Sequence, residues 1–398
     1  MQKKVMLLGG NYFQMTATKA AKELGCHVIS VDYLPDNPAH KYADEYHNVS
    51  TTDREAILKL AKELQIDGIV SYASDVSAPT AAYVSEKFGL PGNPLQAVEI
   101  LTHKDKMREF METHGFRSPK GKAFAKYEDA YDFFEHVKKP VMVKPVDASG
   151  SKGVSQVYHA SEMQHAWQQA WQHTRCGRVV VEEFIERDGY QIAGDGFLID
   201  GKLAFAGLMN EHFDCLCNPL VPIGESYPSI LPEELRETAL TEIQRLLSLL
   251  GMKMGAVNLD FIVDRTGDVY ILEIGPRNGG NLITDAIRAA NKIDLAKLTI
   301  LAAIGEECVI PPRPLEEMMV SSYILHSLEN GFFDHIDICD TIRKDILLMD
   351  IWVKNGDPVN RFEHGGFGLG AALIRHPDMK TMCERMDHME KYIKVITK

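Results

Sequence analysis

No apolar run in the chain approaches the roughly eighteen residues that a membrane span requires. The opening Met1-Gln2-Lys3-Lys4 leads straight into a strand, without the apolar core and small-residue cleavage site of a secretion signal. The expectation is a cytoplasmic protein with no membrane partner. Cysteine is sparse, seven residues in 398, odd in number and scattered, which suits a reducing compartment and not a disulfide framework. His212, Cys215 and Cys217 form the one cluster, and they offer too few ligands for a zinc site. Positive charge is in deficit: the formal net charge of −13 argues against broad nucleic-acid binding, though it permits a local basic pocket. Two glycine fingerprints are missing as well. The first strand–turn–helix lacks G-x-G-x-x-G, which weakens a nicotinamide-dependent oxidoreductase reading, and G-x-x-x-x-G-K-[ST] is unmatched, so there is no P-loop.

What is present is a soluble composition, 45% hydrophobic and 25% charged, in a chain too long for one ordinary core. Residues 5–8, 27–31 and 68–72 are apolar strand segments, alternating with helix-like stretches at 16–24, 53–64 and 77–88. Strand, Gly9-Gly10-Asn11 turn, helix, then a strand ending in Asp32 opens a parallel α/β unit. Leu90-Pro91-Gly92-Asn93-Pro94 breaks it, and Pro311-Pro312-Arg313-Pro314 breaks the chain again. The expected division is 1–94, 95–310 and 311–398. After the second break, strands at 320–325, 347–353 and 369–374 and a closing helix at 379–392 are expected. The glycines at 365–370 more often mark a bulge than a nucleotide site.

Residues 258–281, NLDFIVDRTGDVYILEIGPRNGGN, read as two strands about a D-R-T-G-D turn. Ordinary pairing puts Asp260 and Glu273 on adjacent strands, where they repel unless a cation lies between them. Hard oxygen ligands of this kind suit Mg²⁺ together with phosphate oxygens, and Arg277 adds a fixed positive group. The plain alternative is a surface hairpin with a Glu273–Arg277 salt bridge. Upstream, Lys104 opens a charged helix at 103–114, and Lys144 sits in the strand P-V-M-V-K-P. The loop D-A-S-G-S-K-G-V that follows has residues small enough for backbone N–H groups to approach an anion. Residues 179–185, VVVEEFI, are a strand ending in acids. Residues 191–207 form two strands about Asp200-Gly201, and 232–250 a long amphipathic helix.

This order of parts resembles the ATP-grasp superfamily of carboxylate–amine ligases over roughly residues 1–305. It is most similar to L-amino acid ligases, phosphoribosylglycinamide synthetase and the carbamoyl-phosphate synthase large subunit. The resemblance implies an α/β and α+β architecture: an ATP-grasp fold preceded by a small parallel α/β domain and followed by a small β-rich lobe. It implies ATP and Mg²⁺, with Mn²⁺ as a substitute, small-molecule carboxylate and amine substrates, and a homodimer. Lys104 and Lys144 would meet the α- and β-phosphates, and Ser149, Gly150, Ser151, Lys152, Gly153 and Val154 would close over the β- and γ-phosphates. Glu182 would accept from the adenine amino group, while the backbone of Glu183, Phe184 and Ile185 reads the ring edge. Gln191 would hold the ribose, Asp260 and Glu273 the metal, and Arg277 the phosphoryl group, with Lys144 and Arg277 as the catalytic pair.

Three positions depart from the family pattern. Asp260 replaces a glutamate, Gly275 replaces a metal-binding asparagine for which Asn278 is the expected stand-in, and Gln191 replaces a ribose-binding glutamate. Gly275 and Gln191 motivate an alternative, an Mg·ATP-binding module with altered catalysis. Residues 210–227 are expected to be a loop lining the acceptor pocket.

Overall fold

In the computed structural model, which describes residues 2–398, the apolar segment Lys4–Leu8 lies inside a four-stranded parallel sheet ordered Glu45–His47, His27–Val31, Lys4–Leu8, Gly68–Ser71. Alternation sends Val5 and Leu7 to one face, with Ala17, Ala21 and Ile300, and Met6 and Leu8 to the other, with Ile57 and Ala61. Helices cover both faces, which is why these strands read as continuous apolar runs.

A second, antiparallel sheet is ordered Gly121–Phe124, Val179–Glu183, Val141–Pro145, Ser155–Val157. Val141 and Val143 pack under the helices Tyr127–His136 and Ala160–His173. Period-two alternation therefore turns Met142 and Lys144 to the opposite face, into a cleft.

The largest sheet has eight strands in the order Val269–Gly275, Gly255–Val263, Gln191–Ile199, Lys202–Phe213, Pro222–Tyr227, Met319–Leu325, Gly370–His376, Ile346–Ile351. Helix Glu233–Leu249 seals one face through Ile243, Leu246 and Leu247. Helix Ile283–Asn291 packs on the other. Three strands from beyond residue 311 continue this sheet, and a separate three-stranded sheet stands beside it.

Two expectations are corrected. Residues 210–227 are not one loop: Asn210 to Phe213 and Pro222 to Tyr227 pair as antiparallel strands, leaving only 214–221 between them. The closing helix is Met379–Met386, followed by a 3-10 turn at Met389–Lys391. It stops because Asp387 is tied to the sheet, accepting from Tyr190 Oη at 2.6 Å and meeting His212 Nδ1 at 2.8 Å.

Candidate active site

The hairpin register sets Asp260 directly opposite Glu273, with a bulge just after Asp260. Burial first, and Glu273 second, pushes the Asp260 carboxyl up to about 7, against the pull of Gln191, Lys144 and Lys104. Gln191 Nε2 donates to Asp260 Oδ1 at 2.8 Å, so the residue expected at the ribose also fixes an acid of the pair. Lys104 Nζ stands 3.5 Å from Glu273 Oε2 and donates to the Ala148 carbonyl at 2.8 Å. One ammonium thus links the acid pair to the small-residue loop.

Lys144 Nζ donates to Glu182 Oε1 at 2.8 Å, and Arg108 Nε to Glu182 Oε2 at 2.9 Å. Glu182 is 1% exposed. Burial favours its neutral form, but Arg108 and Lys144 together outweigh that and hold the carboxyl down at about 2. Arg108 lies one turn after Lys104 on the helix Lys104–Thr113, so both cations reach the same side. That spacing was readable in the sequence, but Arg108 was hidden in a run of charges. The Glu183 N–H donates to Lys120 O and the Phe184 N–H to Pro140 O, whereas no backbone carbonyl among the described residues accepts from Ile185 N–H. Of the three amides expected to read a ring edge, only this last one is open.

In the loop, Gly150, Ser151 and Gly153 have φ of +69°, +56° and +67°. A Cβ at Gly153 would come within 2.7 Å of the Gln169 carbonyl, so glycine is required there. The Gly365 N–H donates to Gly150 O at 3.0 Å, bringing the C-terminal glycine segment onto this loop.

Two cavities meet here. One, of about 300 Å³, is lined by Lys104, Lys144, Ser149 to Ser151, Val154, Glu182 to Ile185 and Gln191. The other, of about 700 Å³, is lined by Lys152, Arg277, Tyr12, Trp352, Glu225 and Asn258 among others. Asp260, Glu273 and Glu211 border both. Gly153 lines neither and serves the turn.

Arg277 does not pair with Glu273. Its Nε and Nη2 reach Asp75 Oδ1 and Oδ2 at 2.8 and 2.5 Å, a bidentate link to the N-terminal part that the sequence did not signal. Gly275 makes room for this pair: a Cβ there would lie 3.0 Å from both Arg277 Cζ and Asp75 Oδ1. Asn278 is not the stand-in ligand, because it is fully buried, donates to Asp195 and accepts from Thr299 at 2.8 Å. Asn258, the register partner of Gly275, faces the larger cavity instead. Asp195, also unforeseen, accepts from Asn258 and from the Gly279 N–H at 2.8 Å, fixing the turn beyond Arg277.

The other sequence candidates lie apart. The Gly9-Gly10 turn is filled by its own residues: Gly10 N–H donates to Asp32, and a Cβ at Gly10 would be 2.0 Å from His40. His212, Cys215 and Cys217 do not assemble, since His212 bonds Asp387 and Ser226 while Cys215 is exposed.

Residues 101–281 match the ATP-grasp domain family. The chain is 26% identical over 335 residues to the uncharacterized protein y4rH of Sinorhizobium fredii, covering 80% of this chain and 66% of that protein. The chain thus spans just under two thirds of that relative's length. It is 27% identical over 340 residues to the formate-dependent phosphoribosylglycinamide formyltransferase of Prochlorococcus marinus, covering 82% of each. Among solved structures it resembles an L-amino acid ligase from Bacillus licheniformis, with a TM-score of 0.82 at 21% identity over 100% of this chain and 99% of that one. The matched segment carries every sequence-predicted site residue from Lys104 to Arg277. No helix among the described residues is long and apolar enough to cross a membrane.

Proposed function

We propose that the chain is an ATP-dependent, ADP-forming ligase that joins a small-molecule carboxylate to an amine. The observation that carries this reading is the junction at Asp260 and Glu273, which stand between a lysine-lined cavity of about 300 Å³ and a separate one of about 700 Å³. A nucleotide in the first cavity would present its terminal phosphate to a second molecule in the other.

The substrate carboxylate attacks the γ-phosphorus, ADP leaves, and the resulting acyl phosphate is opened at its carbonyl carbon by the amine, with phosphate departing. Phosphoryl transfer of this kind needs positioning and charge neutralisation above all. Lys104 and Lys144 neutralise the phosphates, and Arg277, oriented by Asp75, neutralises the transferred group. The 149–154 loop excludes water, which would otherwise hydrolyse the intermediate. Glu182 orients Lys144 from behind and faces the base end of the cavity.

Two adjacent carboxylates, one already pushed upward by burial and then by the other, fit a divalent cation. Mg²⁺ bound by Asp260 and Glu273, with Asn258 near, would supply charge stabilisation to the phosphate oxygens. Formate is itself a carboxylate, so the name of the Prochlorococcus relative agrees with this reaction class. Gly275 and Gln191 have local reasons, room for Arg277 and support for Asp260, which favours the ligase over a silent ATP-binding module. We read residues 1–94, 95–310 and 311–398 as three cooperating units of a cytoplasmic enzyme.

The test is ADP release with pooled amino acids, dipeptides and purine intermediates as acceptors. Lys144→Ala and Glu273→Ala each abolish it while leaving the fold intact by circular dichroism. Wild-type-like turnover in either variant would remove the assignment.

A further inference from the structure

A second acidic pair in the larger cavity has no cationic side chain paired to it among the described residues. Glu211 and Glu225 face each other directly across the antiparallel strands Lys202–Phe213 and Pro222–Tyr227, and they are only 7% and 3% exposed. Glu225 accepts from the Ser322 hydroxyl at 2.6 Å, but Glu211 Oε2 is buried and makes no hydrogen bond. Like charges opposed across a strand pair destabilise it, and a buried acceptor left unpaired keeps its desolvation penalty uncompensated. A proton or a bound cation relieves the arrangement. Burial, followed by Asp260 and Glu225, pushes the Glu211 carboxyl upward, and burial pushes Glu225 up to about 7.

The protein does not provide that cation. Lys152 and Arg277 are the only lysine and arginine on the cavity wall among the described residues; Arg277 is committed to Asp75, and Lys152 lies towards Gly366 and His364 and pairs with neither glutamate. Arg187, in the neighbouring cavity, lies over the Phe213 ring at 4.7 Å and makes no ion pair with Glu211. The wall also has an apolar side. Tyr12 and Trp352 stack at 4.9 Å with planes 16° apart, Phe13 meets Trp352 edge-on at 5.3 Å, and Ile283 and Ile324 complete it.

We propose that this cavity is the acceptor site for an unphosphorylated primary amine, held as its ammonium between Glu211 and Glu225, with an aromatic or apolar group against Tyr12 and Trp352. Four acids against two cations make it a poor place for a phosphate ester, whose recognition needs several unpaired lysines or arginines. The ammonium satisfies the orphaned Glu211 oxygen and removes the repulsion across the strands, and passing one proton to a carboxylate of the pair frees the amine lone pair for attack. A cation near aromatic faces gains further from their quadrupoles. The inference rests on the ligase reading for the word acceptor, while its binding chemistry stands on the cavity itself.

The test is calorimetric titration of the full chain with three probes: phenylalaninamide, O-phosphoethanolamine and MgCl₂. Phenylalaninamide binds the wild type, and Glu211→Gln and Glu225→Gln each weaken it at least tenfold. Both variants melt at or above the wild-type temperature in the absence of ligand, because a buried like-charge pair has been relieved, so weaker binding is not unfolding. Equal affinity in the variants, tighter binding of O-phosphoethanolamine than of phenylalaninamide, or loss of an Mg²⁺ site in Glu211→Gln would each overturn the proposal. Wild-type hydroxamate formation from ATP, hydroxylamine and the pooled amino acids tests the ligase reading separately. Its absence sinks that reading, whereas the titrations decide the amine site.

Discussion

Glu182 is the side chain on which most charge converges, a buried carboxylate between Arg108 and Lys144. Its folded value of about 2 lies below the ordinary 4.5, so its contribution to stability is fully present above about pH 4.5 and is lost as pH falls toward 2. A shift of that size corresponds to about 3 kcal/mol. We predict that the melting temperature of the wild type drops more steeply between pH 4.5 and 2 than that of Glu182→Gln, which is less stable at pH 7 and keeps only the slope set by the other stabilised carboxylates, Asp44, Asp147 and Asp387 among them. Parallel curves would mean that the network carries no net stabilisation. At this scale the sequence was partly legible. Facing of Asp260 and Glu273 follows from strand period and turn chemistry, both of which are local. Asp75 and Asp195 reach the site across more than 80 residues of chain, and nothing in their surroundings announces it.

Strands position the site by alternation, and their close approach depends on particular glycines. Gly194, in the strand Gln191–Ile199, has φ of +140°, and a Cβ there would lie 2.1 Å from the Gly207 carbonyl on the adjacent strand. Gly194→Ala is therefore expected to cost roughly 3 kcal/mol or more, seen as a lower urea midpoint with unchanged slope. A midpoint within error of the wild type would contradict the packing described between these strands. Element existence was legible where apolar periodicity ran long, as in Glu233–Leu249 and the two strands about Asp200-Gly201. It failed at 210–227, where Asn, Glu, His, Cys and Pro obscured two strands. The reason is burial: Asn210, Glu211, His212 and Glu225 point into polar interiors, so the usual apolar alternation is missing. The same polar interior hid Glu211 and Glu225 as a pair.

At the scale of the whole molecule, the larger cavity draws its wall from three parts of the chain: Tyr12 and Phe13 near the start, Asp260 to Arg277 in the segment that matches the ATP-grasp domain family, and Trp352 with Gly365 near the end. The ordered set of weak motifs was enough to suggest the ATP-grasp fold. The joining of the last strands to the central sheet was not readable, because pairing between Pro222–Tyr227 and Met319–Leu325 depends on segments some 90 residues apart with no shared local signal. The central claim is that a substrate carboxylate takes the γ-phosphoryl group of ATP before the amine attacks. The most direct measurement supplies pooled amino acids labelled with ¹⁸O in the carboxylate, together with ATP, and analyses the released phosphate by mass spectrometry. The account predicts one ¹⁸O atom in the phosphate for each ADP formed from labelled substrate. Release of AMP, or phosphate free of label while the amide product accumulates, would contradict it.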